Sequence, residues 1–141
     1  MNLFYLFKLY LVTFAAFFTI DMLWLGLVAR KFYRQQIGFL LSPNPNWTAA
    51  ILFYLIFIAG ILVFAVLPGL LSGSLRKAVL LGAFLGLLTY STYDLTNLAT
   101  VKDWPLSLTI VDMIWGIFLA SSVTFIGYLA GRWLVKENNN V

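Results

Sequence analysis

Three aspartates stand where carboxylates are rare. Asp21, Asp94 and Asp112 each lie inside a run apolar enough to cross a membrane, and the chain has only five acidic residues in all. A carboxylate in hydrocarbon costs roughly 2.5–3.5 kcal/mol on insertion scales, so such residues usually mark polar sites or ion and proton pathways. Each has ring or amide company at helical spacing. Trp24 follows Asp21 by three residues, Trp115 follows Asp112 by three, and Tyr90, Tyr93 and Asn97 surround Asp94 on its own helix. Carboxylates, an amide and aromatic walls suit recognition of a cation, a proton or a polar headgroup. The candidate ligand-binding set is therefore Asp21, Trp24, Tyr90, Tyr93, Asp94, Asn97, Asp112 and Trp115. Three ionised carboxylates cannot crowd together in a low dielectric, so one or more should be protonated, paired with Arg30, Lys31, Arg34 or Lys102, or bound to a cation.

The elements that must position this set are membrane helices. The 141 residues are 62% hydrophobic and 10% charged, with a mean hydropathy of +0.96, whereas soluble domains carry about a quarter charged residues. Four runs supply spans of about 20 residues or more. They read as one membrane domain over residues 1–141, with spans near 3–29, 47–71, 78–100 and 106–133. The fold class is all-α, a bundle of four transmembrane helices. With no cysteine and no histidine, disulfides, Cys/His zinc sites and haem held by those residues are excluded. No cofactor or metal is assigned, although a magnesium ion held by oxygen ligands is compatible with the residues. The net charge of +4 comes from nine Lys and Arg near the span ends, which points to lipid headgroups as partners and away from nucleic acid.

Along the chain, Arg30–Leu41 mixes charge with large apolar residues and fits a short interfacial helix, with Gly38 as its stop. Ser42-Pro43-Asn44-Pro45-Asn46 forbids regular helix. Pro68-Gly69 is expected to end the second span, and Pro105 suits the first turn of the fourth. Trp47, Trp104 and Trp133 lie at span ends, where interfacial anchoring is the expectation. The tail, Lys136–Val141, is expected to fray.

Spans one and three finish on the same side of the membrane, and span four begins there. At ~1.5 Å per residue each of the three aspartates lies about 9–12 Å from that end of its span, so they agree in depth. Gly82, Gly86, Tyr90, Asp94 and Asn97 share one face of span three, and the two glycines permit close helix contact. In span four Asp112, Trp115 and Gly116 share a face, and Gly127 and Gly131 offer a second close-packing line. Ile20-Asp21-Met22 with Leu25 echoes Tyr93-Asp94-Leu95 with Leu98, which is compatible with a duplicated helical hairpin. Five basic residues flank the side of the termini (Lys8, Arg76, Lys77, Arg132, Lys136) against four on the other, a lean toward both termini in the cytoplasm.

Several blocks resemble a known family. Asp21-x-x-Trp24-Leu25-Gly26, Phe32-Tyr33-Arg34, Gly38, the run Tyr90-x-Thr92-Tyr93-Asp94-Leu95-Thr96-Asn97-Leu98-Ala99-Thr100, Trp104-Pro105 and Asp112-x-x-Trp115-Gly116 look like a family of small bacterial membrane proteins catalogued as a domain of unknown function. The likeness covers nearly the whole chain. It implies a multi-pass protein of the inner (plasma) membrane, and it brings no substrate or reaction with it.

The residues therefore support binding or transport of a small polar, cationic or lipid-headgroup ligand as the first functional expectation. A lipid-modifying enzyme with an oxygen-ligated metal is the alternative, and the missing His, Cys and nucleophile arrangement weigh against any enzyme. The remaining alternative is an accessory subunit of a membrane complex. Four spans are few for a transporter, so a homodimer or a membrane partner protein fits the small size.

Overall fold

The computed structural model describes residues 2–138, and every regular element among them is helical. Helix α1 (Leu3–Leu23) continues through one widened π turn, Trp24–Val28, and the chain then bends at Ala29 into the short α2 (Arg30–Ile37). Helix α3 (Trp47–Ile61) passes through a second π turn, Leu62–Val66, into α4 (Leu67–Ser72). Helices α5 (Leu75–Thr100) and α6 (Leu106–Asn138) complete the bundle. Four continuous stretches are long and apolar enough to cross a membrane: Leu3–Val28, Trp47–Ser72, Leu75–Thr100 and Leu106–Lys136.

Local chemistry sets where the helices start and stop. The side chains of Asn2, Asn46 and Ser74 accept the N–H groups of Tyr5, Ala49 and Lys77 at 2.8, 3.1 and 3.2 Å, which satisfies donors that a helix start leaves orphaned. The Ser74 cap starts α5 at Leu75, three residues before the expected 78, and places Arg76 and Lys77 in its first turn. Gly73 adopts φ +64, and the N–H groups of Gly73 and Ser74 close back on the carbonyls of Leu70 and Gly69 at 3.1 and 3.0 Å. That Schellman closure reverses the chain between the second and third spans.

Pro68 does not end the second span. A proline inside a helix lacks an N–H and its ring presses on the carbonyl four residues back, here Phe64. The π turn Leu62–Val66 contains that residue and absorbs both defects, so the helix runs on to Ser72. At the C-terminus α6 continues to Asn138, into the segment expected to fray, and residues 139–141 lie outside the described ones.

Packing follows rows of residues four apart. Tyr5, Leu9, Thr13, Phe17 and Asp21 form the buried row of α1; Ala78, Gly82, Gly86 and Asp94 form that of α5. Helix α6 is buried along two adjacent rows, Leu108, Asp112, Gly116, Ala120, Thr124 and Tyr128 beside Trp115, Leu119, Val123 and Gly127, and so occupies the middle of the bundle. Its most extensive partner is α5. A methyl group added to Gly86 would run into the backbone of Gly116, and one added to Gly82 would meet Thr124 and the carbonyl of Ala120. Gly127 and Gly131 form the second close line, against Val66 and Thr13 and against Leu70 and Tyr5.

A separate apolar cluster closes one end of the bundle. Ile37 of α2, Trp104 and Leu108 are buried together, with Phe32, Tyr33, Leu98 and Val101 packed around them. Trp104 is thus 9% exposed, and its indole N–H donates to Thr109 Oγ1 at 3.1 Å, so it is a core residue, unlike the exposed Trp47 and Trp133. Apolar company on three elements gives its ring more contact than the rim of a helix would.

The glycine contacts can be tested against an internal control. Gly86→Ala should destabilise the protein by at least ~1–3 kcal/mol, because the obstacle is backbone and cannot rotate away. Gly60→Ala, where an added methyl meets nothing within 4 Å, should be neutral or slightly stabilising. Thermal unfolding of both variants in the same detergent measures this, and equal midpoints would refute the close approach.

Candidate functional site

Two of the three aspartates are joined by one aromatic network. On α1, Asp21 is 4% exposed; its Oδ2 accepts the Tyr54 hydroxyl of α3 at 3.0 Å and its Oδ1 faces the Trp115 indole N–H of α6 at 3.4 Å. Trp115 stacks on Trp24, with ring centres 4.3 Å apart and planes 8° from parallel. Trp24 donates its indole N–H to the Tyr33 hydroxyl at 3.3 Å, and that hydroxyl in turn donates to Asp112 Oδ1. One continuous path therefore runs from Tyr54 on α3 through Asp21 on α1, Trp115 on α6, Trp24 after α1 and Tyr33 on α2 to Asp112 on α6. The π turn that begins at Trp24 comes directly after the Asp21 turn, at the point where α1 must aim Trp24 at Trp115 and yet release the chain toward α2.

Asp94 stands apart from this network. It is fully buried, and neither of its carboxylate oxygens has a hydrogen-bond partner. It lies within Coulombic reach of Asp112, as Asp112 does of Asp21. The basic residues that the sequence offers as partners, Arg30, Lys31, Arg34 and Lys102, are all exposed. The groups that do satisfy the acids are neutral phenols and indoles.

A cavity of about 350 Å³ opens beside Asp112, lined by Phe53, Thr89, Tyr90, Tyr93 and Asp112. This is the low end of the ~300–1,000 Å³ common for small-molecule pockets. Tyr90 reaches it because its ring lies against Gly116, where any side chain would collide with it. Tyr93 sits at the rim, 57% exposed, with its ring edge-on to Trp104 at 5.6 Å. Asn97 is half-buried one turn further along α5. Among the described residues, no three acidic side chains are grouped tightly enough to hold a metal ion.

Of the eight residues expected from sequence, Asp21, Trp24, Asp112 and Trp115 share the network, and Tyr90, Tyr93 and Asp112 share the cavity. Four participants lie outside that set: Tyr33, Tyr54, Phe53 and Thr89. Tyr54 carries the one hydroxyl between Thr48 and Ser72 in an uncharged span, which is a readable signal. Tyr33 lay inside a charged segment, where a phenol looks like ordinary interface. Conversely, most of the polarity of α5 serves its own backbone. Ser91, Thr92, Thr96 and Thr100 donate to carbonyls three or four residues back and take no part in the site.

Comparison with known proteins adds a family. Residues 6–129 match the family described as "Predicted membrane protein (DUF2177)", and the chain belongs to it. With four helices of spanning length it is a multi-pass membrane protein. No curated protein and no solved structure matches the chain.

Tyr33 gives this geometry a measurable consequence. Burial first, and the hydrogen bond to Asp112 second, raise its pKa above the ordinary 10.0. The unfolded chain then loses this proton before the folded one does. Its stabilising contribution is complete below about pH 10 and declines as pH rises above that value. Tyr33→Phe should cost ~1–3 kcal/mol at pH 7, by leaving Asp112 short of a donor. The difference from wild type should shrink above pH 10. Thermal midpoints of both proteins between pH 7 and 11 test this; parallel curves would contradict the bond.

Proposed function

We propose that this member of the family binds, within the bilayer, a small ligand with a positively charged or polar head, which Asp112 and Asp94 neutralise and Tyr90 and Tyr93 enclose. The observation that carries this reading is Asp94: a carboxylate wholly buried, with both oxygens unpartnered and no basic side chain beside it. A group left in that state costs free energy, so its retention one helical turn from Tyr90 of the cavity lining is best explained by a partner that arrives from outside the chain, a cation or a proton. The cavity supplies the room, and the phenol rings offer faces that attract cations.

In this reading Asp21 has a different task. Its oxygens are already engaged by Tyr54 and Trp115, so it orients the Trp115–Trp24 stack and, through Tyr33, one oxygen of Asp112. Asn97 would contribute an amide at the Asp94 end. The excess of basic residues on the side of the termini supports a cytoplasmic location for both, in the inner membrane, with the acidic cavity toward the outer leaflet.

Native mass spectrometry of protein solubilised gently from its own membranes tests the reading without prejudging the ligand. Wild type should retain a small amine- or cation-bearing species. Asp112→Asn and Asp94→Asn, confirmed as folded by their thermal transitions, should lose at least nine-tenths of that occupancy. An empty wild-type protein, or a ligand kept equally by both variants, would count decisively against it.

A further inference from the structure

The cavity has a side door and no front door. The end of the bundle nearest water is sealed by Ile37, Trp104 and Leu108, which are 8%, 9% and 1% exposed. Helix α2 is fastened over that end by the Tyr33–Asp112 hydrogen bond and by the Ser107 hydroxyl, which donates to Gln36 Oε1 at 2.7 Å. Water therefore meets packed apolar side chains before it meets a carboxylate. Along the side the arrangement is reversed. Phe53 on α3 and Tyr93 on α5 line the cavity and are 49% and 57% exposed, so the opening lies between these two helices. Phe53 is six residues from the start of α3, Tyr93 seven from the end of α5, and Asp112 six from the start of α6. At ~1.5 Å per residue the opening and the carboxylate behind it lie about 9–10 Å below the helix ends, at the depth of acyl chains in one leaflet.

We infer that the ligand of this cavity is an amphiphile with an ammonium head, which enters from the bilayer between α3 and α5. The inference rests on the proposed binding function and names its substrate class. The sign of the head follows from the lining, which holds one carboxylate, no Lys and no Arg. Its type follows from the rings: Phe53, Tyr90 and Tyr93 offer π faces around Asp112, the combination that recognises alkylated ammonium groups. Its tail follows from the route, since only a molecule already dissolved in lipid reaches an opening at that depth. A volume of about 350 Å³ admits the head and the first methylenes, and leaves the rest of the chain outside among the lipids.

The absence of cysteine from the chain makes the route measurable, because one introduced thiol reports alone. In lipid nanodiscs, Thr89→Cys should react with an apolar maleimide and stay unmodified by a water-soluble, charged thiosulfonate. Dodecyltrimethylammonium should slow the maleimide reaction at least tenfold. Tetramethylammonium at the same concentration should not, and adding Asp112→Asn should abolish the protection. Phe53→Cys, on the opposite wall, should repeat the pattern and serves if Thr89→Cys does not fold; Thr92→Cys, on the exposed side of α5, should react without protection by either ion. Rapid modification by the water-soluble reagent, or equal protection by both ions, would overturn the lateral route while the carboxylate-dependent binding stood. Protection by neither ion, in either thiol variant, would overturn both.

Discussion

The closeness of α5 and α6 is the constraint on which the site depends. At Gly86 and Gly116 the two backbones approach until no side chain fits between them, and Gly82 extends the contact toward Thr124. That contact fixes the rotation of α5 about its axis. With rotation fixed, the next two members of the same row, Tyr90 and Asp94, must also face α6. Tyr90 lies over Gly116, and Asp94 is driven into the interface with Asp112 four residues before Gly116 on the partner helix. The bundle thus forces two carboxylates together as a by-product of packing glycines. In a membrane, where lipid is as apolar as the helix surface, such packing supplies much of the association between helices. The interaction that assembles the protein also loads the site with uncompensated acidity.

The second feature is the manner in which that acidity is managed. Exposed arginines and lysines flank the aspartates in sequence, yet their side chains stay on the surface, where hydration of their charge is retained. Asp21 and Asp112 are stabilised instead by O–H and N–H donors on rigid rings. Neutral donors steady a carboxylate without pairing it with an opposite charge, which leaves any charge on Asp112 uncompensated within the chain. A salt bridge would have extinguished it. The chain has therefore been built with an acid that stays available, which is the physical basis for expecting a cationic partner.

Much of the architecture is legible in the amino-acid sequence, because span length, hydropathy and terminal caps are local quantities. The rows of α5 and α6 are legible too, since Gly82, Gly86, Tyr90 and Asp94 announce one face by spacing alone. What the sequence does not disclose is set by three-dimensional accident. The π turns at Trp24–Val28 and Leu62–Val66 leave no motif, although the second accompanies Pro68 and carries the helix past it. Tyr33 joins the site only because the chain bends at Ala29 and folds α2 back over α6. Trp104 looks like an interfacial anchor until the cluster with Ile37 and Leu108 is assembled around it. Polarity by itself misleads in α5, where five of the hydroxyls, Thr89 among them, donate to their own helix.

The position of α2 decides what kind of protein this bundle can be. If the segment were only a surface anchor, the acids would open to water, and any hydrated cation could compete for them. Folded over the bundle end, α2 turns Ile37 inward beside Trp104 and Leu108 and commits Tyr33 to Asp112. Among the described residues, the cavity beside Asp112, at about 10 Å depth, opens between two helices that scarcely touch, α3 and α5. Sealing the polar end while leaving the apolar side ajar inverts the usual access to a charged pocket. If the cavity binds as proposed, selectivity comes from partitioning before it comes from contact. The molecule would first have to be soluble in lipid to reach the carboxylate, and then carry a positive head to remain there.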